Sequence, residues 1–181
     1  NVTAGKYNDG SKPMRAELAR RLADGMQSAW ENTKRTPITS ADLEWRTVAV
    51  ALPPSPALDE QALLRIVDDS AAKPVDRVRA ARNLVWLHRA QRGDKIDLTC
   101  LKLGPGYLVH MPGELFIEYQ LAAANMQPDA PVCMAAYGDY GSGYIGVEIA
   151  YSQGGYETGP VSRVAPEVEK VLMDGMQELL K

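Results

Sequence analysis

The hydrophobic positions of this chain change their period along its length, and each change marks an element. Met14, Leu18, Leu22, Met26 and Trp30 recur at four-residue spacing with Arg, Glu and Asp between them. That pattern predicts a long amphipathic helix beginning at Pro13 and packed by one face. Ser11 or Lys12 falls at its N-cap and Pro37 marks the stop. Residues 43–52, LEWRTVAVAL, are β-branched and apolar and read as a strand, closed by the rigid Pro53-Pro54-Ser55-Pro56 link. Residues 59–69 and 75–92 return to helical spacing. The second of these carries Val78, Ala81, Leu84, Val85 and His88 around one side, with Arg77, Arg79, Arg82, Arg89 and Arg92 elsewhere. An arginine face of this kind is ordinarily solvated, and His88 reads as a last-turn residue favoured by the helix dipole.

From Lys95 the period is two. Ile96, Leu98 and Cys100 alternate with Asp97 and Thr99, Gly104-Pro105-Gly106 turns the chain, and residues 107–111 run back as a second strand of a hairpin. Pro112-Gly113-Glu114 ends that strand and opens a helix over 115–126. PVCMAAY, 131–137, reads as a buried strand, and a last helix from Pro166 packs Val168, Val171, Leu172, Met176 and Leu179. Strands alternating with helices, together with a hairpin, predict an α/β fold with a mixed β-sheet layered with helices.

Composition narrows the classes of function. The 181 residues are 45% hydrophobic and 24% charged with a net charge of −3, ordinary for one globular domain with a real core. There is no basic stripe interleaved with aromatics, which excludes nucleic acid as a partner, and no apolar run of transmembrane length. Cys100 and Cys133 lie in apolar, strand-like runs without C-x-x-C spacing. Buried free thiols are expected, with a disulfide between neighbouring strands as the alternative. The opening NVTAGKYNDG starts as a structured loop would, without initiator Met or signal peptide, so the chain is expected to be the C-terminal part of a longer one. Asn1-Val2-Thr3 also fits a glycosylation sequon.

The stretch 137–160, YGDYGSGYIGVEIAYSQGGYETGP, holds five of the eight Tyr and seven of the fifteen Gly. Gly permits close backbone approach and Tyr offers a phenol that donates, accepts or ligates a metal, a composition for building a site. Its alternative is a long loop with two short strands whose tyrosines pack on a neighbouring layer. Glu114 falls where a strand gives way to a helix, so its carboxylate projects from the end of the sheet, where open α/β folds bind ligands. His110 precedes it by four residues and Glu118 follows by four. These residue types suit zinc, but one lies on a strand and the other on a helix, and on the residues alone Glu114 as a helix-end charge with His110 as a satisfied inward polar group is the preferred reading.

Taken together, NVT near the start, PGEL-F in the middle and Y-I-G-V-E-I-A-Y-S-Q-G-G-Y-E near the end resemble the neutral/alkaline ceramidase family, zinc-dependent amidohydrolases that cleave the N-acyl bond of ceramide. Tyr144, Tyr151, Gln153, Tyr156 and Glu157 match the family's tyrosine-rich motif at unbroken spacing. The resemblance implies that Glu114 and Tyr144 ligate Zn2+, that Tyr156 holds the substrate carbonyl or the oxyanion, and that Thr3 stands where the family has its serine nucleophile, with Asn1 in place of the preceding Asp. His110 is a possible additional ligand. The family's two histidine ligands belong to the half before the nucleophile, so the resemblance makes 1–181 the C-terminal part of a catalytic domain. Its partners would be the N-terminal half of the same protein and a small-molecule or lipid amide substrate. Secretion or the bacterial envelope is the compartment it implies. Two other readings keep the fold: a relative acting on a non-ceramide substrate, and a non-enzymatic descendant whose Tyr/Gly stretch binds a carbohydrate or a protein.

Overall fold

The structure, a computed structural model, describes residues 7–138 and 141–181. It divides into two compact units, Asn1–Thr39 and Ser40–Lys181. The first contains α1 (Lys12–Glu31), whose N-cap is Ser11: its hydroxyl accepts a hydrogen bond from the Met14 N–H, with a proline in the first turn. Ion pairs of Glu17 with Arg20 and Arg21, and of Arg20 with Asp24, run along its surface. All are exposed and screened by solvent, so they add little to stability. The expected packing by one face is not found, because α1 buries none of its residues. The helix also stops before Pro37. Asn32 caps it, backbone and side-chain N–H groups both donating to the Ser28 carbonyl.

The second unit is built on a four-stranded mixed sheet in the order β1-β2-β3-β5, with β1 Leu43–Val50, β2 Ile96–Leu103, β3 Gly106–Pro112 and β5 Val132–Gly138. The expected hairpin is present: β2 and β3 pair antiparallel, from Leu103 opposite Gly106 to Thr99 opposite His110. β1 pairs antiparallel with β2 on the other side, Leu43 opposite Leu103 through Val50 opposite Ile96. The connection from β3 to β5 passes through a two-residue strand, β4 (Glu114–Leu115), and a helix, α4 (Ile117–Met126), so β5 lies parallel to β3. A hairpin cannot make that parallel pairing; a helical crossover can.

Side chains on β2 alternate. Ile96, Leu98 and Cys100 are buried, as are Val109 and Met111 of β3. Against them pack Tyr119 and Ala123 of α4 and Val168, Leu172, Met176 and Leu179 of α6 (Val168–Leu179). Arg46 of β1 joins this layer by donating from one guanidinium nitrogen to the carbonyls of Leu179 and Lys181, groups that a helix end leaves unpaired. The helices α2 (Glu60–Asp68) and α3 (Pro74–Gln91) form a further pair. α2 starts at Asp59, whose carboxylate accepts the Ala62 N–H, and α3 buries Trp86 beside Leu52 and Ile96. His88 lies in the last turn of α3, as expected, with Nε2 2.8 Å from Glu60 Oε1.

Two expectations are corrected here. β5 is not a buried strand, since only Val132 is buried and Cys133 is exposed. Cys100 and Cys133 are both free, as expected, but only Cys100 is buried; β3 lies between their strands, so the alternative of a disulfide is not met. Among the described residues no helix is long and apolar enough to cross a membrane.

Leu98 is fully buried between the sheet and α6, with its Cδ1 close to Gly175. Leu98→Ala is expected to lower unfolding free energy by roughly 2–5 kcal/mol, read from the midpoint of a urea denaturation curve.

Candidate functional site

The parallel strands β3 and β5 end together, Pro112 opposite Gly138, and the chain segments beyond them build the site. Gly113, at φ 64°, turns the chain out of β3. β4 then runs parallel to β6 (Tyr144–Ile145), with Glu114 opposite Tyr144 and Leu115 opposite Ile145. The Glu114 N–H donates to the Gly143 carbonyl at 2.9 Å, and the Tyr137 N–H donates to the Gly113 carbonyl at 2.6 Å. The Tyr/Gly stretch is therefore not one long loop. It contains the end of β5, β6, a short helix α5 (Glu148–Gln153) and the turn that carries Tyr156.

Glycine is required at two of these positions by space as well as by φ. A Cβ on Gly113 would stand 2.6 Å from the Gly143 carbonyl oxygen and from Ser142 Oγ. A Cβ on Gly143, at φ 75°, would stand 2.1 Å from the Val161 carbonyl oxygen and 3.0 Å from Arg163 Nη1. Real side chains do not approach backbone so closely, so residues 113 and 142–143 meet only because Gly113 lacks a side chain, and residue 143 reaches Val161 only because Gly143 does. Ser142 Oγ is buried beneath this contact and finds no hydrogen-bond partner among the described residues.

The result is an open cleft of about 320 Å³ lined by Glu114, Tyr137, Tyr144 and Arg163 with glycines between them. Glu114 is half-buried and lines the cleft beside Tyr144 and Tyr137. Its carboxylate raises both phenol pKa values, as a hydrogen-bond acceptor first for Tyr144 and through its charge first for Tyr137. Tyr156 is exposed, its ring edge-on to that of Tyr144 with centroids 5.8 Å apart and planes at 72°. Tyr151, by contrast, is turned inward, its hydroxyl 3.2 Å from Ser162 Oγ.

Tyr137 is the residue that sequence pattern did not single out. It is the one described non-glycine residue at positive φ, 63°. That conformation costs a tyrosine on the order of 1–2 kcal/mol, and it holds the ring beside Glu114. Arg163 was also not foreseen. Its Nε donates to Asn83 Oδ1 at 2.6 Å and its Nη1 to the Gly141 carbonyl at 2.9 Å, while burial and then neighbouring Arg82 depress its pKa.

Of the candidates from sequence, Glu114, Tyr144 and Tyr156 come together. His110 is on β3 behind this cleft, its imidazole packed against Gly138: a Cβ there would lie 2.9 Å from Cε1 and Nε2. Glu118 faces elsewhere, toward Glu148 and Glu169. Thr3 and Asn1 lie outside the described residues. Glu114 and Tyr144, as a register pair lining one cleft, fit two ligands of a cation such as zinc. Among the described residues no three His, Cys, Asp or Glu side chains converge to complete a set.

The comparisons with known proteins bear on this geometry. No protein-family model and no curated protein matches the chain. Solved structures do. A ceramidase complexed with C2 aligns with a TM-score of 0.56 at 12% identity, over 92% of this chain and 33% of that one. The neutral ceramidase from Pseudomonas aeruginosa aligns with a TM-score of 0.50 at 14% identity, over 99% of this chain and 35% of that one. This chain has a ceramidase-like fold. It spans about a third of the length of the two ceramidases.

Gly143→Ala is expected to destabilise the protein by roughly 1–3 kcal/mol, because the new methyl must push β6 from residues 161–163. Tyr137→Gly should instead recover part of the backbone strain, about 1 kcal/mol, so that the two variants move the denaturation midpoint in opposite directions.

Proposed function

We propose that this chain is part of a ceramidase-like zinc hydrolase that cleaves an N-acyl amide bond. One observation carries the reading: a carboxylate and a phenol, Glu114 and Tyr144, face each other as register partners at the end of a parallel strand pair, in a chain whose fold matches two ceramidases. In this reading Glu114 and Tyr144 hold the metal, which when bound supplies Lewis-acid polarisation of the amide carbonyl. Tyr137 stands beside Glu114 in the cleft wall, placed to orient it as outer-shell groups orient ligands. Tyr156, standing edge-on to Tyr144, donates its hydroxyl to the oxygen on which negative charge develops. The Thr3 hydroxyl adds to the carbonyl carbon, its proton passing by way of a base to the departing amine nitrogen as the C–N bond breaks, and water then releases the acyl group. The base and the remaining ligands come from the N-terminal half of a longer ceramidase-like fold, which is the partner this reading requires.

The complete protein is expected to contain about one zinc per molecule by elemental analysis. Glu114→Gln and Tyr144→Phe should each lower that content substantially; unchanged zinc in either would remove that residue from the ligand set. Hydrolysis of N-acyl amides by the same material is expected to fall by about 100-fold in Tyr156→Phe with zinc content retained, as for loss of one oxyanion donor. Loss of zinc in that variant would make Tyr156 a ligand instead.

A further inference from the structure

The arginines of α3 have local partners, with one exception. Arg77 donates from Nε to the Val67 carbonyl, Arg79 pairs with Asp76, and Arg89 and Arg92 pair with Asp94. Among the described residues no carboxylate pairs with Arg82. It belongs instead to the stripe Val78, Arg82, Val85, Trp86 and Arg89, three or four residues apart, which lines a cavity of about 380 Å³ within the unit Ser40–Lys181. Arg163 and Gly141 also line it. Two cations thus meet at one cavity, and Arg82 lies close enough for its charge to work against that of Arg163, which burial already disfavours. Arg163 is fixed in place. Its Nε donates to Asn83 Oδ1 at 2.6 Å, its Nη1 to the Gly141 carbonyl at 2.9 Å, and its own carbonyl accepts the Trp86 indole N–H at 2.8 Å. Nη2 has no partner among the described residues. A guanidinium held this way offers an anion a donor that is ordered beforehand.

We propose that this cavity binds an acidic group between Arg82 and Arg163, and that the substrate of the neighbouring cleft is an N-acyl amide that carries such a group. Carboxylate, phosphate and sulfate share the chemistry: each offers oxygens that accept from a guanidinium. The two cavities are joined through one side chain, because Arg163 lines this cavity and also the cleft of Glu114 and Tyr144. Its Nη1 lies 3.0 Å from where a Cβ on residue 143 would stand, next in sequence to Tyr144. An anion held by Arg163 therefore lies against the wall of the cleft. Val78, Val85 and Trp86 give the cavity an apolar wall, which suits an acidic group attached to hydrocarbon rather than a free inorganic ion. The amide in this inference rests on the proposed function; the anion site does not.

The test uses the complete protein and two probes of equal acyl chain: N-octanoylglycine, which carries a carboxylate, and N-octanoylethanolamine, which is neutral. Dissociation constants are measured by titration calorimetry. The anionic probe is expected to bind about 10- to 100-fold more tightly, the range for hydrogen bonds to a charged partner. Arg82→Gln should bring that ratio close to one, and Arg82→Lys should keep part of it. Arg79→Gln removes a charge from the same helix outside the cavity and should leave the ratio as it is. Equal affinity for the two probes overturns the proposal. So does a preference that survives Arg82→Gln, or one that Arg79→Gln abolishes as fully, since the net charge of the helix then accounts for it. Inorganic phosphate binding as tightly as N-octanoylglycine overturns the choice of an amphiphile, because the apolar wall then contributes nothing. Affinity and turnover separate the two readings. An Arg82-dependent preference without hydrolysis of either probe defeats the hydrolase and leaves the anion site, whereas hydrolysis of both probes at equal affinity does the reverse.

Discussion

Two strands of two residues each, β4 and β6, hold the candidate site together; their approach depends on the absence of a side chain at Gly113, and the seat of β6 against Val161 on its absence at Gly143. Backbone close approach is the constraint from which the rest follows. If the chain could not pass at that distance, Glu114 would not lie opposite Tyr144, and the loop at 142–145 would not be tied to 161–163 through the Arg163 N–H and Ser142 carbonyl. The packed layers of β2, β3, α4 and α6 supply a rigid platform, but a platform specifies only where the strands end. The glycines specify what stands there.

What stands there is a carboxylate beside two phenols, Tyr137 and Tyr144, with a third, Tyr156, against Tyr144 and a guanidinium in the wall. Beside the carboxylate each of the two phenols keeps its own proton more firmly. The arrangement is mutually stabilising as it stands, and a cation entering it has to compete with protons already in place. Tyr137 is held by its backbone in a conformation that tyrosines avoid, and strain of that kind concentrates where function fixes geometry.

Much of the frame was legible in the order of residues. Ser11 and Asp59 are short polar side chains just ahead of helical periodicity and both cap their helices; Gly104-Pro105-Gly106 between two period-two runs makes the hairpin. These features are local, so a sequence shows them. The two misjudged elements depend on what lies opposite. PVCMAAY reads as buried because it is apolar, yet Val132 alone of it is buried and Cys133 and Tyr137 are exposed; the apolar stripe of α1 reads as packed, yet nothing is buried on it. Within the site, Glu114 and Tyr144 lie thirty positions apart and pair in parallel, a relation that no spacing rule reveals. Their association came from likeness to a family's motifs. Tyr137 and Arg163 belong to no such motif, and their roles arise from a backbone angle and from contacts with distant Asn83. α5 went unread because the glycines around it mask six helical residues.

One small feature bears on how such a sheet ends. β5 is its last strand, and the side-chain amide of Gln120 on α4 spans two of its backbone groups, donating to the Val132 carbonyl at 2.9 Å and accepting the Met134 N–H at 2.8 Å. A primary amide has the same donor and acceptor as a peptide group, so Gln120 occupies the place of a neighbouring strand. Self-templating by strand addition, the route by which open edges seed aggregates, would have to displace that amide on the β5 side. The helix that carries the chain from β3 to β5 thus also terminates the ladder it helped to build.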